Sequence, residues 1–251
     1  MQVLNETRVQ TVNCQIAQIN QLNKDVRQVF LRLPEGKKVD FLPGQYAEIQ
    51  LAKNGSSAFS IANAPTGGRE IELHIRYVPD GGSCDEVTEL LNQRTPLNVK
   101  LPQGECVLKP ENNNTQIFLA GSTGFAPIKS MLEYCFHNHR QQELYLYWGG
   151  VRQQDLYLHD LAKEWHQQYD NFHYIPALSD APESSGWKGR SGFIHKCLLE
   201  DFNDLSKNIE IYAGGSPGMV YAALDDFEKH GLHEDNIYSD VFAYAPRPTA
   251  P

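Results

Sequence analysis

A change of rhythm near residue 110 constrains this chain more than any other feature. Before it, short segments with partial apolar alternation follow one another: Gln10–Ile19, Val26–Leu33, Ala47–Leu51, Phe59–Ala62 and Ile71–Val78. Turn signals separate them, among them Asn23-Lys24-Asp25, Pro34-Glu35-Gly36, Pro43-Gly44, Lys53-Asn54-Gly55, Pro65-Thr66-Gly67-Gly68 and Pro79-Asp80-Gly81-Gly82. Strands of this length and spacing predict a small antiparallel β-barrel. Asp85–Leu91 has a helical pattern and is expected to plug or cap that barrel, and Leu97–Leu101 returns as a strand. After the polar run Pro110-Glu111-Asn112-Asn113-Asn114 the pattern becomes strand then helix, repeated. Strands are expected at Ile117–Ala120, Glu143–Trp148, Phe172–Ala177, Ile209–Ala213 and Ile237–Phe242. Helices are expected at Ala126–His137, Leu156–Tyr169, Phe193–Leu199 and Met219–Lys229. Such alternation predicts an α/β doubly wound parallel sheet. The fold class is therefore two-domain, with a barrel over residues 1–110 and an α/β domain over 115–251.

Bulk properties narrow the function. Hydrophobic residues make up 41% and charged residues 21% of the 251 positions, the balance of an ordinary folded protein. A formal net charge of −9 and the lack of Lys/Arg clusters argue against nucleic-acid and anionic-membrane partners. Five widely spaced cysteines, Cys14, Cys84, Cys106, Cys135 and Cys197, match neither a zinc site nor a plant-type iron–sulfur run, so no metal is expected. They read as reduced thiols. With no secretory signal and no membrane-length apolar run, this predicts a cytoplasmic protein.

Ligand chemistry concentrates at two glycine-rich turns. Ile117-Phe118-Leu119-Ala120 runs into Gly121-Ser122-Thr123-Gly124-Phe125-Ala126-Pro127, where a helix is expected to begin. Free N–H groups and the dipole at such a helix start favour a phosphate. A tight turn with no ligand accounts for the run equally well, since it is not the G-x-G-x-x-G fingerprint. A second such turn, Gly214-Gly215-Ser216-Pro217-Gly218-Met219, falls at the same edge of the expected sheet. Together they favour a dinucleotide crevice. Arg152, after Trp148-Gly149-Gly150-Val151, is placed to meet a ribose or phosphate, or is a solvated surface residue. In the barrel half, Phe59-Ser60-Ile61-Ala62-Asn63 is by itself an ordinary strand. His74 reads as readily as a satisfied structural residue as a catalyst. No G-x-S-x-G, H-E-x-x-H or Walker A run occurs.

The ordered set of motifs resembles the ferredoxin–NADP reductase superfamily, and within it the flavin reductases and the reductase components of bacterial oxygenases. Pro43-Gly44-Gln45-Tyr46 resembles its P-G-Q-Y. Ser57-Ala58-Phe59-Ser60 falls at its flavin motif R-x-[YF]-S, and Ile71-Glu72-Leu73-His74-Ile75-Arg76 at the strand that follows. Gly121 to Pro127 resembles G-x-T-G-x-[AS]-P, with Trp148 to Arg152 and Gly214 to Met219 as companion segments. The resemblance implies NAD(P)H-dependent flavin oxidoreduction, with FAD or FMN and NADH or NADPH as cofactors. It implies that Ser60, the catalytic candidate, hydrogen-bonds near the flavin N5 edge and that Phe59 packs on the isoalloxazine. His74, Ile75 and the segment Gly81, Gly82, Ser83, Cys84 are further flavin contacts. Gly121, Thr123, Gly124 and Pro127 lie by the nicotinamide and pyrophosphate, joined by Gly149, Arg152, Gly215, Pro217 and Met219. Gly214 leaves room for the nicotinamide to stack on the flavin. Asp240, Phe242 and Tyr244 fall where family members place residues around the flavin.

Three departures from the family pattern point to a loosely held or exchanged flavin. The motif arginine, which pairs with a flavin phosphate, is Ser57. The pyrophosphate hydroxyl position is Cys84, or Ser83 one residue earlier. The cysteine of C-G-P-P is Gly214. The electron outlet is then free flavin or a separate acceptor protein such as a ferredoxin or oxygenase, because the stretch before Gln10 is too short for an iron–sulfur module. A non-catalytic nucleotide-binding subunit is the third reading, disfavoured because both halves keep their outline. Only Arg152 is basic after the second α/β strand, followed by Gln153, Gln154 and Asp155, which leans the coenzyme to NADH with NADPH tolerated.

Overall fold

The computed structural model describes residues 8–79, 82–181 and 186–247. The chain forms two compact units, Met1–Leu108 with Lys129–Tyr134, and Lys109–Ile128 with Cys135–Pro251.

The first unit carries β1 (Gln10–Gln21), β2 (Val26–Arg32), β3 (Tyr46–Gln50), β4 (Ser56–Ser60), β5 (Glu70–Arg76) and β6 (Leu97–Gln103), in the order β4-β3-β6-β1-β2-β5. All pairings between them are antiparallel. A bridge from Ile61 to Leu73 joins the two ends and closes the barrel, which protects strand edges from pairing elsewhere. Strand β1 serves two neighbours. Gln10–Cys14 pairs with β6 and Gln15–Gln21 with β2, and a register shift between Ile16 and Gln18 turns the corner. Alternation sends Val29, Leu31, Ile49, Ile71, Leu73, Ile75 and Val99 into one core. Helix α1 (Ser83–Gln93) adds Val87 and Leu91 to it, the plug expected from the sequence. Strand β4 starts and ends earlier than the expected Phe59–Ala62, because Ile61 and Ala62 turn away to meet β5.

The second unit carries β7 (Thr115–Gly121), β8 (Leu144–Gly150), β9 (Phe172–Leu178), β10 (Arg190–Ser191), β11 (Ile209–Gly214) and β12 (Ile237–Tyr238). They form a parallel sheet in the order β10-β9-β8-β7-β11-β12. Helices α2 (Phe125–His137), α3 (His159–Gln168), α4 (Ile194–Asp201) and α5 (Pro217–Lys229) supply the crossovers. The strands are continuous apolar runs because both faces are covered: Ile117, Phe118, Leu119 and Ala120 are all fully buried. The chain runs outward from β7 to β10, then crosses back to β11 on the other side of β7. Ligands of such sheets bind where the strand order reverses, here outside the carboxyl ends of β7 and β11.

One expectation needs correction. Ile237–Phe242 is not one strand. Only Ile237–Tyr238 pairs, and Val241–Tyr244 is a single helical turn, α6, set by Ser239, whose Oγ accepts from Val241 N at 3.3 Å. The two-residue strand β10 was too short to be seen in the pattern. The polar run at 110–114, next to the boundary between the two units at Leu108 and Lys109, is tied to β11. Asn112 and Asn114 both donate to the buried Glu210 carboxylate, at 2.6 and 3.2 Å.

Candidate functional site

The barrel half of the site is defined by the register of β3 and β4. Phe59 lies opposite Ala47 and Ser57 opposite Ile49, while Ser60 lies opposite Tyr46 and Ala58 opposite Glu48. Directly paired residues share a face of the sheet. Ala47 and Ile49 are core residues, so Ser57 and Phe59 face the barrel interior, and Phe59 packs half-buried against the core cluster. The resemblance implies that Phe59 packs on an isoalloxazine; the register places its ring on the core side of β4. Ser60 and Ala58 face outward, and their aromatic neighbour is Tyr46. The sequence carried Tyr46 within P-G-Q-Y, yet its pairing with Ser60 is set by register and cannot be read from spacing. The turn before it requires glycine: Gly44 has φ +105°, and a Cβ there would stand 2.3 Å from the Cys106 carbonyl oxygen.

His74 and Ile75 lie on β5, with Ile75 in the core. The His74 imidazole is buried, and its Nε2 lies 2.8 Å from Glu72 Oε1. Ile75 thus points into the core, while His74, on the opposite face of β5, is buried against Glu72. Glu72 also accepts from Gln28 Nε2 at 2.7 Å and from Lys129 Nζ at 2.8 Å. Burial alone would raise the Glu72 pKa, but the His74 hydrogen bond, the Lys129 charge and Gln28 outweigh it and hold it at about 2. Burial pushes the His74 pKa below its ordinary value, against the pull of Glu72.

Both shifts have the same sign for stability. A group with a depressed folded pKa stabilises above its unfolded pKa, and that contribution is lost as pH falls. His74 therefore withdraws support as pH falls below about 6.5, and Glu72 withdraws it from about 4.5 down to about 2. Thermal melts should show Tm falling continuously across that window. A flat Tm between pH 7 and 4 would contradict the network.

At the N-terminus of α1 the cap residue is Gly82, and no side chain caps the turn. The nearby carboxylates are engaged elsewhere: Asp85 accepts from the Tyr77 hydroxyl, and Glu86 from Ala52 N, Lys53 N and Asn54. Amides at such a start suit a phosphate. Cys84 is turned back to β5, accepting from Val78 N at 3.2 Å, which leaves Ser83 as the hydroxyl of this segment. Gly81 lies outside the described residues.

The α/β half is built from two turns that touch. After β7, Ser122–Gly124 forms a 3-10 turn leading into α2, with Ser122 in the left-handed region at φ +49°. Trp148 from β8 fixes it: its indole N–H donates to Ser122 O at 3.2 Å, and its ring stacks on Phe125 at 3.8 Å. After β11, Ser216 caps α5 by accepting from Met219 N, with Pro217 in the first helical turn. A Cβ on Gly124 would stand 2.2 Å from Gly214 C and O, and one on Gly214 2.3 Å from Gly124 O. One on Gly121 would stand 2.4 Å from Met219 Sδ. The expectation that Gly214 is small to admit a nicotinamide is thereby refined: its Cβ space is already filled by Gly124. Thr123 and Pro127 are half-buried at this edge, and Gly215 lies against Met219. Gly149 packs on Ile194 of α4. Arg152 is exposed, while Asp155 Oδ2 accepts from Val151 N and Arg152 N at 3.0 and 2.9 Å. Phe242 of α6 is half-buried against Tyr221 of α5, and Tyr244 is exposed. Both halves fit their groups: an outward hydroxyl pair and an uncapped helix start for a flavin, and two glycine turns at the strand reversal for a dinucleotide. Among the described residues no cluster of three His, Cys, Asp or Glu gathers as metal ligands, and no helix is long and apolar enough to cross a membrane.

Comparison with known proteins agrees with this geometry. Residues 13–107 match the oxidoreductase FAD-binding domain family and residues 118–225 the oxidoreductase NAD-binding domain family. The chain belongs to the ferredoxin–NADP reductase-like family of FAD- and NAD-binding oxidoreductases. It is 39% identical over 240 residues to the CDP-6-deoxy-L-threo-D-glycero-4-hexulose-3-dehydrase reductase of Yersinia pestis, covering 95% of this chain and 71% of that protein. It is 34% identical to the terephthalate 1,2-dioxygenase reductase component 1 of a Comamonas species, over 88% of this chain and 65% of that one. It is 31% identical to a probable flavin reductase of Photobacterium leiognathi, over 92% and 98%. Among solved structures, a cytochrome P450 reductase from Amycolatopsis aligns with a TM-score of 0.82 at 25% identity, over 92% of this chain and 69% of that chain.

Proposed function

We propose that this protein takes a hydride from NADH and delivers it to a flavin held on the barrel, from which electrons leave to free flavin or to a separate acceptor protein. The observation that carries this reading is the outward Ser60–Tyr46 pair on a barrel that matches FAD-binding domains. When bound, the flavin supplies the two-electron acceptor. The chain's own residues bind and orient: Ser60 donates toward the reacting ring edge, Tyr46 flanks it, and the α1 amides with Ser83 receive the phosphates. The amides of the Ser122–Gly124 turn and of α5 receive the dinucleotide pyrophosphate. Ser57, at the position of the family's phosphate-pairing arginine, has its short side chain on the core side of β4 and supplies no charge-assisted phosphate bond, which favours an exchangeable flavin.

Asp155 supports NADH over NADPH. It sits just after β8, where an acidic group meets a ribose hydroxyl and repels a 2′-phosphate. Asp155→Asn keeps the acceptor for the two amides and removes the charge. It is expected to shift the NADPH-to-NADH ratio of kcat/KM about tenfold toward NADPH.

Steady-state NADH oxidation tests the outlet. Turnover stimulated by added FMN, FAD or riboflavin supports a flavin reductase, as does the match to a probable flavin reductase over nearly its whole length. Slow turnover with free flavin but fast turnover with ferricyanide supports a reductase component serving a protein, in line with the Yersinia and Comamonas relatives. No oxidation with any acceptor would overturn both.

A further inference from the structure

The stretch that follows Ser60 is held at three consecutive residues by one and a half turns of α2. Lys129 Nζ donates to the Ala62 carbonyl at 3.3 Å, Ser130 Oγ to the Asn63 carbonyl at 2.7 Å, and Ala64 N donates to Glu133 Oε2 at 3.0 Å. These α2 residues belong to the same compact unit as the barrel. Lys129 is buried, and its ammonium is fully paired: besides Ala62 it donates to Glu72 Oε2 at 2.8 Å and Glu133 Oε1 at 2.7 Å. From the other side, Ala62 N donates to Glu72 O at 2.7 Å, and Asn63 Oδ1 accepts from Glu72 N at 2.8 Å. Stabilising a barrel does not require a buried cation at this position. An apolar side chain of similar volume, in a site redesigned to match, often stabilises as well. The ion pair does supply fixed direction, since each of its hydrogen bonds points at one backbone atom.

We propose that Lys129, Ser130 and Glu133 are positioning residues: they clamp Ala62–Ala64 and thereby set the orientation of the Ser60 hydroxyl for hydride transfer. This rests on the reading that Ser60 faces the flavin. Between Ser60 and the clamp lies the single residue Ile61, held by the bridge to Leu73 and by donation of its N to Gln45 O at 3.0 Å, so Ala62 and Ser60 are joined through one fixed residue and the clamp bears on Ser60 over two residues.

The test measures single-turnover flavin reduction by NADH at saturating flavin, together with KM for NADH and the visible absorption band of the bound flavin. Ser130→Ala should slow reduction about fivefold, the worth of one neutral hydrogen bond, with KM unchanged and the band shifted. Ser130→Thr should restore the rate. Lys129→Met should slow it further, and if that variant does not fold, Ser130→Ala carries the test. Val12→Ala, a core truncation on β1 away from the clamp, gives the comparison of equal melting loss without rate loss. Wild-type rates in the clamp variants, or an equal rate loss in Val12→Ala, overturn the clamp while Ser60→Ala remains slow. If Ser60→Ala is also unaffected, the flavin reading itself falls and the clamp with it.

Discussion

Gly124→Ala should raise KM for NADH about tenfold or more while leaving flavin affinity unchanged. The added methyl would stand 2.2 Å from the Gly214 carbonyl carbon and oxygen, backbone atoms that cannot rotate aside. Two turns must separate: Ser122–Gly124 after β7 and Gly214–Ser216 after β11. Overpacking of this kind costs about 1–3 kcal/mol, and about 1.4 kcal/mol is tenfold in binding. The cost falls on the dinucleotide because the amides at both turns are what it would contact. The fold survives, since the strands and helices behind the turns keep their packing. Gly214→Ala should act alike, from the opposite side of the same contact. Steady-state kinetics beside a flavin titration separates the two effects. An unchanged KM would mean that the touching turns do not hold the nucleotide.

Ser60→Ala should lower the rate of flavin reduction about tenfold to a hundredfold with little change in KM for NADH. A hydroxyl donating to a ring edge that gains negative charge contributes about 1.5–3 kcal/mol, more than a neutral hydrogen bond. The fold is not at stake, because Ser60 is half-buried on the outward face and outside the core cluster. Tyr46→Phe isolates the neighbour and should change the rate less, since its ring remains. Single-turnover reduction by NADH measures both, and a Ser60→Ala enzyme at the wild-type rate would remove this residue from the chemistry.

What could be read from the sequence was whatever is local along the chain. The barrel strands, the α1 plug, the β/α alternation and both glycine turns follow from alternation, apolar runs and turn residues. Facing and register were not legible. Phe59 and Ser60 are neighbours in sequence, yet the pairing with Ala47 and Tyr46 sends one inward and the other outward. Burial, and to a lesser degree the charge of Lys129, lowers the His74 pKa, and that charge lies far along the chain where no window around His74 contains it. Gly214 is small because Gly124 fills its Cβ space, a contact between two turns that only the finished sheet brings together. The Ser239–Asp240 turn ended β12 early, since local side-chain bonding outcompetes a two-residue ladder.

If hydride passes from NADH to a flavin on this chain, the flavin must be reduced at the protein and not merely in solution. The most direct measurement is an anaerobic one: saturate the purified protein with FAD, add one equivalent of NADH, and follow the visible flavin band in a stopped-flow spectrometer. Rapid bleaching that depends on the protein and slows in Ser60→Ala is the expected result. A band that bleaches no faster than free FAD with NADH in buffer would contradict it.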